Sequence, residues 1–263
     1  MKKYFVVGNP IEHSLSPKLH NFWIKNNRID AIYEKKFLSK DGLKNLILEV
    51  KKKKIDGINV TVPFKKTVIP YLDQLSTESK NTQSVNTIYL NNNKTIGHNT
   101  DIEGFKRSIE ETKLDIKNKK VLILGAGGVA PSIIFALYKM KVSEIMITNR
   151  TKSKAEDLKG LFKNLKIVDW GKVPEFDIII NATSVGLKKG DEINLDFSKI
   201  GKNKFFYDLI YNPNETNFLK IGKNLGNRTE NGKLMFVYQA LAAFNVWHGI
   251  QPEINNEVIK LLD

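Results

Sequence analysis

Hydrophobic and polar positions follow two different periods along the first hundred residues. Short apolar runs predict strands at 3–8, 33–37, 55–62 and 86–90, and apolar residues spaced three and four apart predict helices from 16 and over 41–53. Strands that alternate with helices are typical of an α/β domain.

A second alternating run begins after residues 118–120. Its predicted strands lie near 121–124, 144–148, 165–168, 177–181 and 205–210, and an apolar helical pattern follows from Leu234 through Trp247. The joining segment, 99–105, carries the Thr-x-x-Glu pattern of a helix start, which predicts a stiff hinge. We therefore predict two α/β domains: residues 1–101 with a C-terminal helix at 238–263, and residues 102–237.

Composition narrows the classes of protein that remain. Of 263 residues, 41% are apolar and 27% charged, and there is no cysteine, so disorder and a disulfide scaffold are both excluded. The apolar run at 4–7 is too short for a signal peptide and no stretch approaches membrane-spanning length, so we expect a cytoplasmic protein without a membrane partner.

The net charge of +14 would suit an anionic partner. Its one dense cluster, Lys51 to Lys54, ends a helical pattern, where cations are favourable, and we prefer a solvated helix end to a nucleic-acid patch. Aromatic platforms interleaved with the lysines are lacking, so no nucleic-acid partner is expected.

A nucleotide site is indicated where the strand at 120–124 runs into GAGGVA and then into an apolar helix at 131–140. Gly125 allows the tight turn, Gly127 lets the backbone approach a pyrophosphate, and Ala130 permits close packing of helix on sheet. This context predicts a Rossmann-like, doubly wound domain, and the candidate phosphate-binding residues are Gly125, Ala126, Gly127, Gly128, Val129 and Ala130.

The choice of cofactor depends on the end of the next strand. An acidic residue there would bind the ribose 2′-hydroxyl of NAD, but the chain has Asn149, Arg150 and Thr151. The Arg150 guanidinium can pair with a 2′-phosphate and Lys154 lies one turn later, so the sequence favours NADP. The alternative is that Arg150 is an ordinary solvated residue.

Candidate substrate-binding residues follow the strand at 58–62. Its alternation places Asn59 and Thr61 on one face, and Lys65 follows Pro63. An amide, a hydroxyl and an ammonium suit a polyhydroxylated ring; an exposed polar strand face would explain Asn59 and Thr61 but not Lys65.

Three further segments carry polar residues at the start of a predicted helix or strand. Ser14 and Ser16 precede a helix in which we expect Ser16 to be the N-cap, and a helix N-terminus beside two hydroxyls suits a carboxylate. Asn86 ends a polar run and stands at the start of the predicted strand at 86–90. Asp101 is either a favourable acid at a helix start or a functional group.

Five motifs in order resemble the shikimate dehydrogenase family: GNPIEHSLSP at 8–17, NVTVPFK at 59–65, VNT at 85–87, NTD at 99–101 and YNP at 211–213. NRT at 149–151 and QA at 239–240 extend the resemblance over nearly the whole chain. It implies a substrate domain that binds shikimate or 3-dehydroshikimate, an NADP domain, and a last helix that returns to the first domain.

The resemblance also implies roles for individual residues. Lys65 and Asp101 match the catalytic pair, Ser14 and Ser16 the carboxylate site, and Asn59, Asn86, Asp101 and Gln239 the contacts to ring hydroxyls. Thr61 and Tyr211 match positions near the substrate, and Ala182, Thr183, Ile210 and Gly232 match positions around the nicotinamide. Gln83, Ile102 and Leu234 stand where the family usually has other residues, mostly glycine.

The predicted activity is the reversible, NADPH-dependent reduction of 3-dehydroshikimate to shikimate, a step towards chorismate and the aromatic amino acids, by a monomer or homodimer. A quinate/shikimate dehydrogenase that uses NAD and a non-catalytic NADPH-binding regulatory protein are the alternatives. No metal is expected, because the four histidines show no ligand spacing.

Overall fold

The computed structural model describes residues 1–39, 41–188 and 190–262. It divides into two compact units, one formed by Met1–Gly104 with the chain from Val237 onward, the other by Phe105–Phe236. None of the helices in these described ranges is long and apolar enough to cross a membrane.

The first unit is built on a mixed sheet. Its elements up to the junction are β1 (Lys2–Gly8), α1 (Ser16–Asn26), β2 (Ala31–Phe37), α2 (Gly42–Lys51), β3 (Gly57–Val60), a 3-10 turn (Ile69–Tyr71), β4 (Gln74–Leu75), α3 (Thr77–Thr82), β5 (Thr87–Asn91) and β6 (Lys94–His98). The strand order is β2-β1-β3-β5-β6-β4. Strand β1 pairs in parallel with β2 and β3, whereas β5 is antiparallel to β3 and to β6.

Alternation along β3 separates the core of this unit from its polar face. Ile58 and Val60 join an apolar cluster with residues of α2, whereas Asn59 lies between them in sequence and opposite Thr87 of β5. Adjacent residues of a strand point to opposite faces, so Asn59 is presented on the other side of the sheet. Its burial to 7% exposure shows that this face is also covered.

The second unit holds an all-parallel sheet. Its elements are β7 (Lys120–Leu124), α5 (Ala130–Lys139), β8 (Glu144–Thr148), α6 (Lys152–Leu161), β9 (Lys166–Val168), β10 (Ile178–Asn181), β11 (Phe205–Asp208), α7 (Asn217–Asn224) and β12 (Arg228–Glu230). The order β12-β11-β10-β7-β8-β9 is that of a doubly wound dinucleotide-binding sheet, so the predicted fold class is confirmed. The order reverses between β7 and β10, and ligands of such sheets bind at that switch point.

Three helices complete the chain: α4 (Asp101–Glu111), α8 (Lys233–His248) and α9 (Asn256–Lys260). Helix α8 matches the apolar pattern expected from Leu234 through Trp247. Within the first unit its Trp247 indole donates to the Ile88 carbonyl at 3.2 Å and stands against Gly57, where a Cβ would come within 2.4 Å of the indole nitrogen.

One local prediction is wrong. Ser16 is not the N-cap of α1, because the helix begins at Ser16 and Leu15 occupies the cap position without a side-chain bond. Instead, the Ser16 N–H at the start of the helix donates to the Ser14 hydroxyl at 3.3 Å. A side chain that precedes the helix therefore satisfies this backbone donor.

Candidate active site

A buried ion pair lies at the centre of the polar cluster in the first unit. Lys65 Nζ is 2.6 Å from Asp101 Oδ2, and the two side chains are only 13% and 7% exposed. The other oxygen, Asp101 Oδ1, accepts from Asn86 Nδ2 at 2.8 Å. Three of the polar residues expected from the sequence therefore meet, although they are far apart in the chain.

The backbone around the pair explains why these side chains converge. Lys65 follows β3, and its carbonyl accepts from the Val85 N–H at 2.9 Å, which holds Lys65 beside the segment that carries Asn86. Asp101 opens α4, and its N–H donates to Asn99 Oδ1 at 3.1 Å. A carboxylate is favourable at the positive end of a helix, so this position also stabilises the charged form.

Asn86 is held by its neighbours rather than by solvent. Its Oδ1 accepts from the Thr100 N–H at 2.8 Å and from the Thr87 hydroxyl at 3.0 Å. Its Nδ2 also lies 2.9 Å from Thr100 Oγ1. Sequence reasoning gave Thr87 and Thr100 no role of their own, and the only available signal was their place beside Asn86 and Asp101 in the VNT and NTD motifs.

Asn59 extends the cluster towards β2. Its Nδ2 donates to the Asn86 carbonyl and to Thr87 Oγ1, both at 3.1 Å. Its Oδ1 accepts from the Tyr33 hydroxyl at 2.7 Å. The amide is thus fixed in one orientation.

The two serines lie together at the start of α1. Ser14 Oγ donates to Ser16 Oγ at 3.2 Å, and Ser16 is buried. Burial raises the pKa of the neighbouring Tyr33 phenol, and the Ser16 side chain lowers it. Two hydroxyls beside a helix N-terminus could donate to a carboxylate, and the carboxylate site at this segment stays a prediction.

The remaining predicted substrate residues are placed less directly. Thr61 is half-buried, and its N–H donates to the Val7 carbonyl at 2.9 Å. Gln239 is half-buried on α8. Tyr211 belongs to the second unit, where its ring stacks on Phe236 with centroids 4.6 Å apart. Like the other residues expected to bind substrate, these three stay predictions as substrate contacts.

The glycine turn after β7 has the geometry of a phosphate-binding loop. Gly125 has φ +101°, and a Cβ there would lie 2.7 Å from Thr183 Cγ2, so no other residue fits without strain. Gly127 is exposed, and the nearest atom to a Cβ built on it would be the Ala182 carbonyl oxygen at 3.8 Å. The backbone at Gly127 is therefore open to a ligand, and fully buried Ala130 begins α5 behind it.

The residues that follow β8 fit a nucleotide that carries a 2′-phosphate. Asn149 Oδ1 accepts from the Ala126 N–H at 3.0 Å, and Asn149 Nδ2 donates to the Thr151 carbonyl at 2.7 Å, which ties the strand end to the glycine turn. Arg150 and Lys154 are exposed and form no ion pair within the described residues. Two free cations with no acid at the strand end fit the 2′-phosphate of NADP.

A second network joins the carboxyl ends of β10 and β11. Asn181 Oδ1 accepts from the Thr183 N–H and hydroxyl at 3.1 and 2.7 Å, and Asn181 Nδ2 donates to Asp208 Oδ1 at 3.0 Å. Asp208 also accepts from the Ile210 N–H at 3.0 Å and the Thr216 hydroxyl at 2.6 Å. Burial raises the pKa of Asp208 to about 6, against the lowering effect of these bonds. The network holds the loops that carry Thr183 and Ile210.

Sequence reasoning missed Asn181 and Asp208 as supports of the nucleotide site. Their signal was a polar residue at the end of each buried strand, which an apolar core does not explain. Gly232, by contrast, was singled out, and its N–H donates to the Ile210 carbonyl at 3.0 Å. A Cβ there would lie 2.1 Å from the Leu209 carbonyl oxygen, so glycine is required.

The doubly wound sheet with its glycine turn defines a dinucleotide-binding protein of the Rossmann class, and the polar cluster of the other unit contains an ammonium beside a carboxylate. Two family profiles match the chain: "Shikimate dehydrogenase substrate binding domain" over residues 6–88 and "Shikimate / quinate 5-dehydrogenase" over residues 108–207. The chain belongs to the shikimate dehydrogenase family.

Individual relatives agree with the family assignment. The chain is 59% identical over 264 residues to a shikimate dehydrogenase (NADP(+)) of Pelagibacter ubique, with all of both proteins covered. It is 42% identical to one from Caldicellulosiruptor saccharolyticus, covering all of this chain and 98% of the relative. A crystal structure of the Thermus thermophilus shikimate 5-dehydrogenase in complex with NADP(H) and shikimate matches with a TM-score of 0.91 at 30% identity, covering 100% of this chain and 98% of that one.

Proposed function

We propose that this protein catalyses the reversible reduction of 3-dehydroshikimate to shikimate with NADPH as the reductant. The observation that carries the proposal is the buried pair of Lys65 Nζ and Asp101 Oδ2, 2.6 Å apart, with Asn86 on the second oxygen. It places a proton donor, a carboxylate and an amide in one polar cluster. We also propose that this reaction takes place in the cytoplasm, as a step towards chorismate.

Substrate binding is assigned to the first unit. The hydroxyls of Ser14 and Ser16 would hold the ring carboxylate, and the amides of Asn59 and Asn86 would hold ring hydroxyls. A site built on hydrogen bonds rejects analogues that lack the matching hydroxyl, since its own buried polar groups are then left unpaired.

NADPH, when bound, supplies the hydride for the C3 carbonyl carbon of the substrate. The glycine turn would hold its pyrophosphate and Arg150 its 2′-phosphate. The loops that carry Ala182, Thr183, Ile210 and Gly232 would border its nicotinamide end.

Lys65 carries out the proton transfer. As hydride reaches the carbonyl carbon, the C=O electron pair moves to oxygen, and the Lys65 ammonium donates a proton to that oxygen. In the direction of shikimate oxidation, the neutral amine accepts the hydroxyl proton. Asp101 holds the ammonium at 2.6 Å, and Asn86 fixes the carboxylate by donating to its other oxygen.

The test compares Lys65→Met with Lys66→Met, because Lys66 is the exposed neighbour of Lys65 and carries the same charge. Removal of the proton donor should lower kcat by about 10² to 10⁴. Lys66→Met should leave kcat unchanged. Full turnover by Lys65→Met would show that another group transfers the proton.

A second assay tests substrate and cofactor. NADPH and NADH absorbance are followed separately with 3-dehydroshikimate, and the reverse reaction is run with shikimate and with quinate. We expect faster oxidation of NADPH and faster turnover of shikimate. Preference for NADH and quinate would support the alternative quinate/shikimate activity, and binding of NADPH without turnover would support the regulatory protein.

A further inference from the structure

Tyr33 is buried beside the polar cluster of the first unit, and its hydroxyl reaches Asn59. The residue is 1% exposed on β2, and its O–H donates to Asn59 Oδ1 at 2.7 Å across 26 positions of sequence. Burial raises the pKa of this phenol, and the Ser16 side chain lowers it. The buried phenol is therefore hydrogen-bonded to the predicted ring-hydroxyl site and lies near the predicted carboxylate site.

The chain holds this phenol rigidly. Asn21 of α1 clamps the Tyr33 backbone, since its Nδ2 donates to the Tyr33 carbonyl at 2.7 Å and its Oδ1 accepts from the Tyr33 N–H at 2.9 Å. The Tyr33 ring stacks on His20 with centroids 4.2 Å apart and planes within 1° of parallel. Helix α1, which begins at Ser16, and the Tyr33 ring are thus positioned by the same contacts.

The Tyr33 hydroxyl decides what the Asn59 amide can do. Because Asn59 Oδ1 accepts from Tyr33, its amino group must face Asn86 and Thr87, where it finds two acceptors at 3.1 Å. Without the phenol O–H, the buried oxygen loses its donor and the amide is held from one side only. A side chain that binds substrate from a fixed orientation would then have to be ordered when the substrate arrives.

We propose that Tyr33 is a positioning residue for the reaction, which acts by fixing the Asn59 amide so that the remaining lone pair of Oδ1 can accept from a ring hydroxyl of the substrate. The inference rests on the proposed function, which places Asn59 in the substrate site. The inference also gives a role to the buried hydroxyl of Tyr33, which lies on β2, a strand outside the family motifs.

The variant Tyr33→Phe removes the hydroxyl and keeps the ring that stacks on His20. We expect the KM for shikimate to rise about tenfold, the effect of losing one well-formed hydrogen bond. The value of kcat and the KM for NADP should change less than about twofold. The lost contact would bind the ground state and the transition state of shikimate equally, so its loss affects binding and not the chemical step. The matched control is Tyr4→Phe, a tyrosine at 2% exposure in the same unit that packs on Trp247 and His248.

A double-mutant cycle separates positioning from general loosening of the fold. If Tyr33 acts through Asn59, then adding Tyr33→Phe to Asn59→Ala should change the shikimate KM by less than about twofold. Additive effects would overturn the inference. Urea unfolding of each variant shows whether it is folded, and Asn59→Ser replaces Asn59→Ala if the latter is not.

The outcomes also distinguish this inference from the proposed function. A shikimate KM that is unchanged in Asn59→Ala and in Asn59→Ser would remove Asn59 from the substrate site, and both proposals about it would fail. A raised KM in the Asn59 variant with an unchanged KM in Tyr33→Phe would overturn the role of Tyr33 alone. A rise in Tyr4→Phe equal to that in Tyr33→Phe would point to packing and would also overturn it.

Discussion

Glycine at position 83 should make the first unit more stable than alanine at the same position. Gln83 ends α3 with φ 47° and ψ 39°, in the left-handed region that disfavours side chains with a Cβ. The chain adopts this left-handed turn without a glycine, and the turn leads into the segment that carries Asn86.

The magnitude follows from three contributions. The left-handed conformation costs a residue with a Cβ about 1–2 kcal/mol. Glycine regains this but loses about 0.4–1 kcal/mol through the greater freedom of the unfolded chain. Gln83 Nε2 also donates to the Lys80 carbonyl at 2.8 Å on the exposed surface, and Gln83→Gly and Gln83→Ala both lose this bond. We therefore expect Gln83→Gly to be roughly 1 kcal/mol more stable than Gln83→Ala.

Urea unfolding followed by tryptophan fluorescence measures this difference, since Trp23 and Trp247 both lie in the first unit. The midpoint of Gln83→Gly should exceed that of Gln83→Ala by about 0.5 M. Lys80→Gly, inside α3, is the matched control and should lower the midpoint, because the backbone there is helical. Equal midpoints for Gln83→Gly and Gln83→Ala would refute the argument from backbone strain.

Two further outcomes follow from the structure. Burial lowers the pKa of His20 from 6.5 to about 3, and His248 contributes in the same direction, so the folded state binds this proton less readily than the unfolded chain. Above about pH 6.5, His20 should therefore have no effect on the free energy of unfolding. Below about pH 6.5, it should lower the free energy of unfolding by up to about 1.4 kcal/mol for each pH unit. Urea unfolding from pH 7.5 to 4 should show a shallower decline for His20→Phe, and parallel curves would contradict this. Arg150→Ala should raise the KM for NADPH at least about tenfold and leave the KM for NADH unchanged; an equal rise for both cofactors would mean that Arg150 does not bind the 2′-phosphate.

Strands β7 and β8 are among those that the sequence predicted well. Apart from polar residues at their ends, both are continuous apolar runs, and the observed bounds differ from the predicted ones by a residue at most. Strand β6 (Lys94–His98) was missed because it is short and partly polar. Its hairpin partner β5 is joined to it by Asn92 and Asn93, both at positive φ, and two asparagines between alternating segments could have indicated this turn.

The candidate site was predictable only as far as each residue carries its own chemistry. Lys65, Asn86 and Asp101 stand in motifs whose polar side chains an apolar core does not explain, and the structure brings the three together. Tyr33 looked like an ordinary strand aromatic, because its contact with Asn59 depends on how β2, β1 and β3 pair. A partner 26 residues away is set by sheet order, which local periodicity does not report.

The Lys65–Asp101 pair is better explained by chemistry than by folding. Burying two charges costs several kcal/mol per ion, and an apolar pair of similar volume is often at least as stable. The chain nevertheless surrounds the pair with further buried polar groups, since Asn86 contacts Asp101 and Thr100 in turn fixes Asn86. If Lys65 is the proton donor proposed above, this network holds it at one position, so little reorganisation is needed when charge develops on a substrate oxygen.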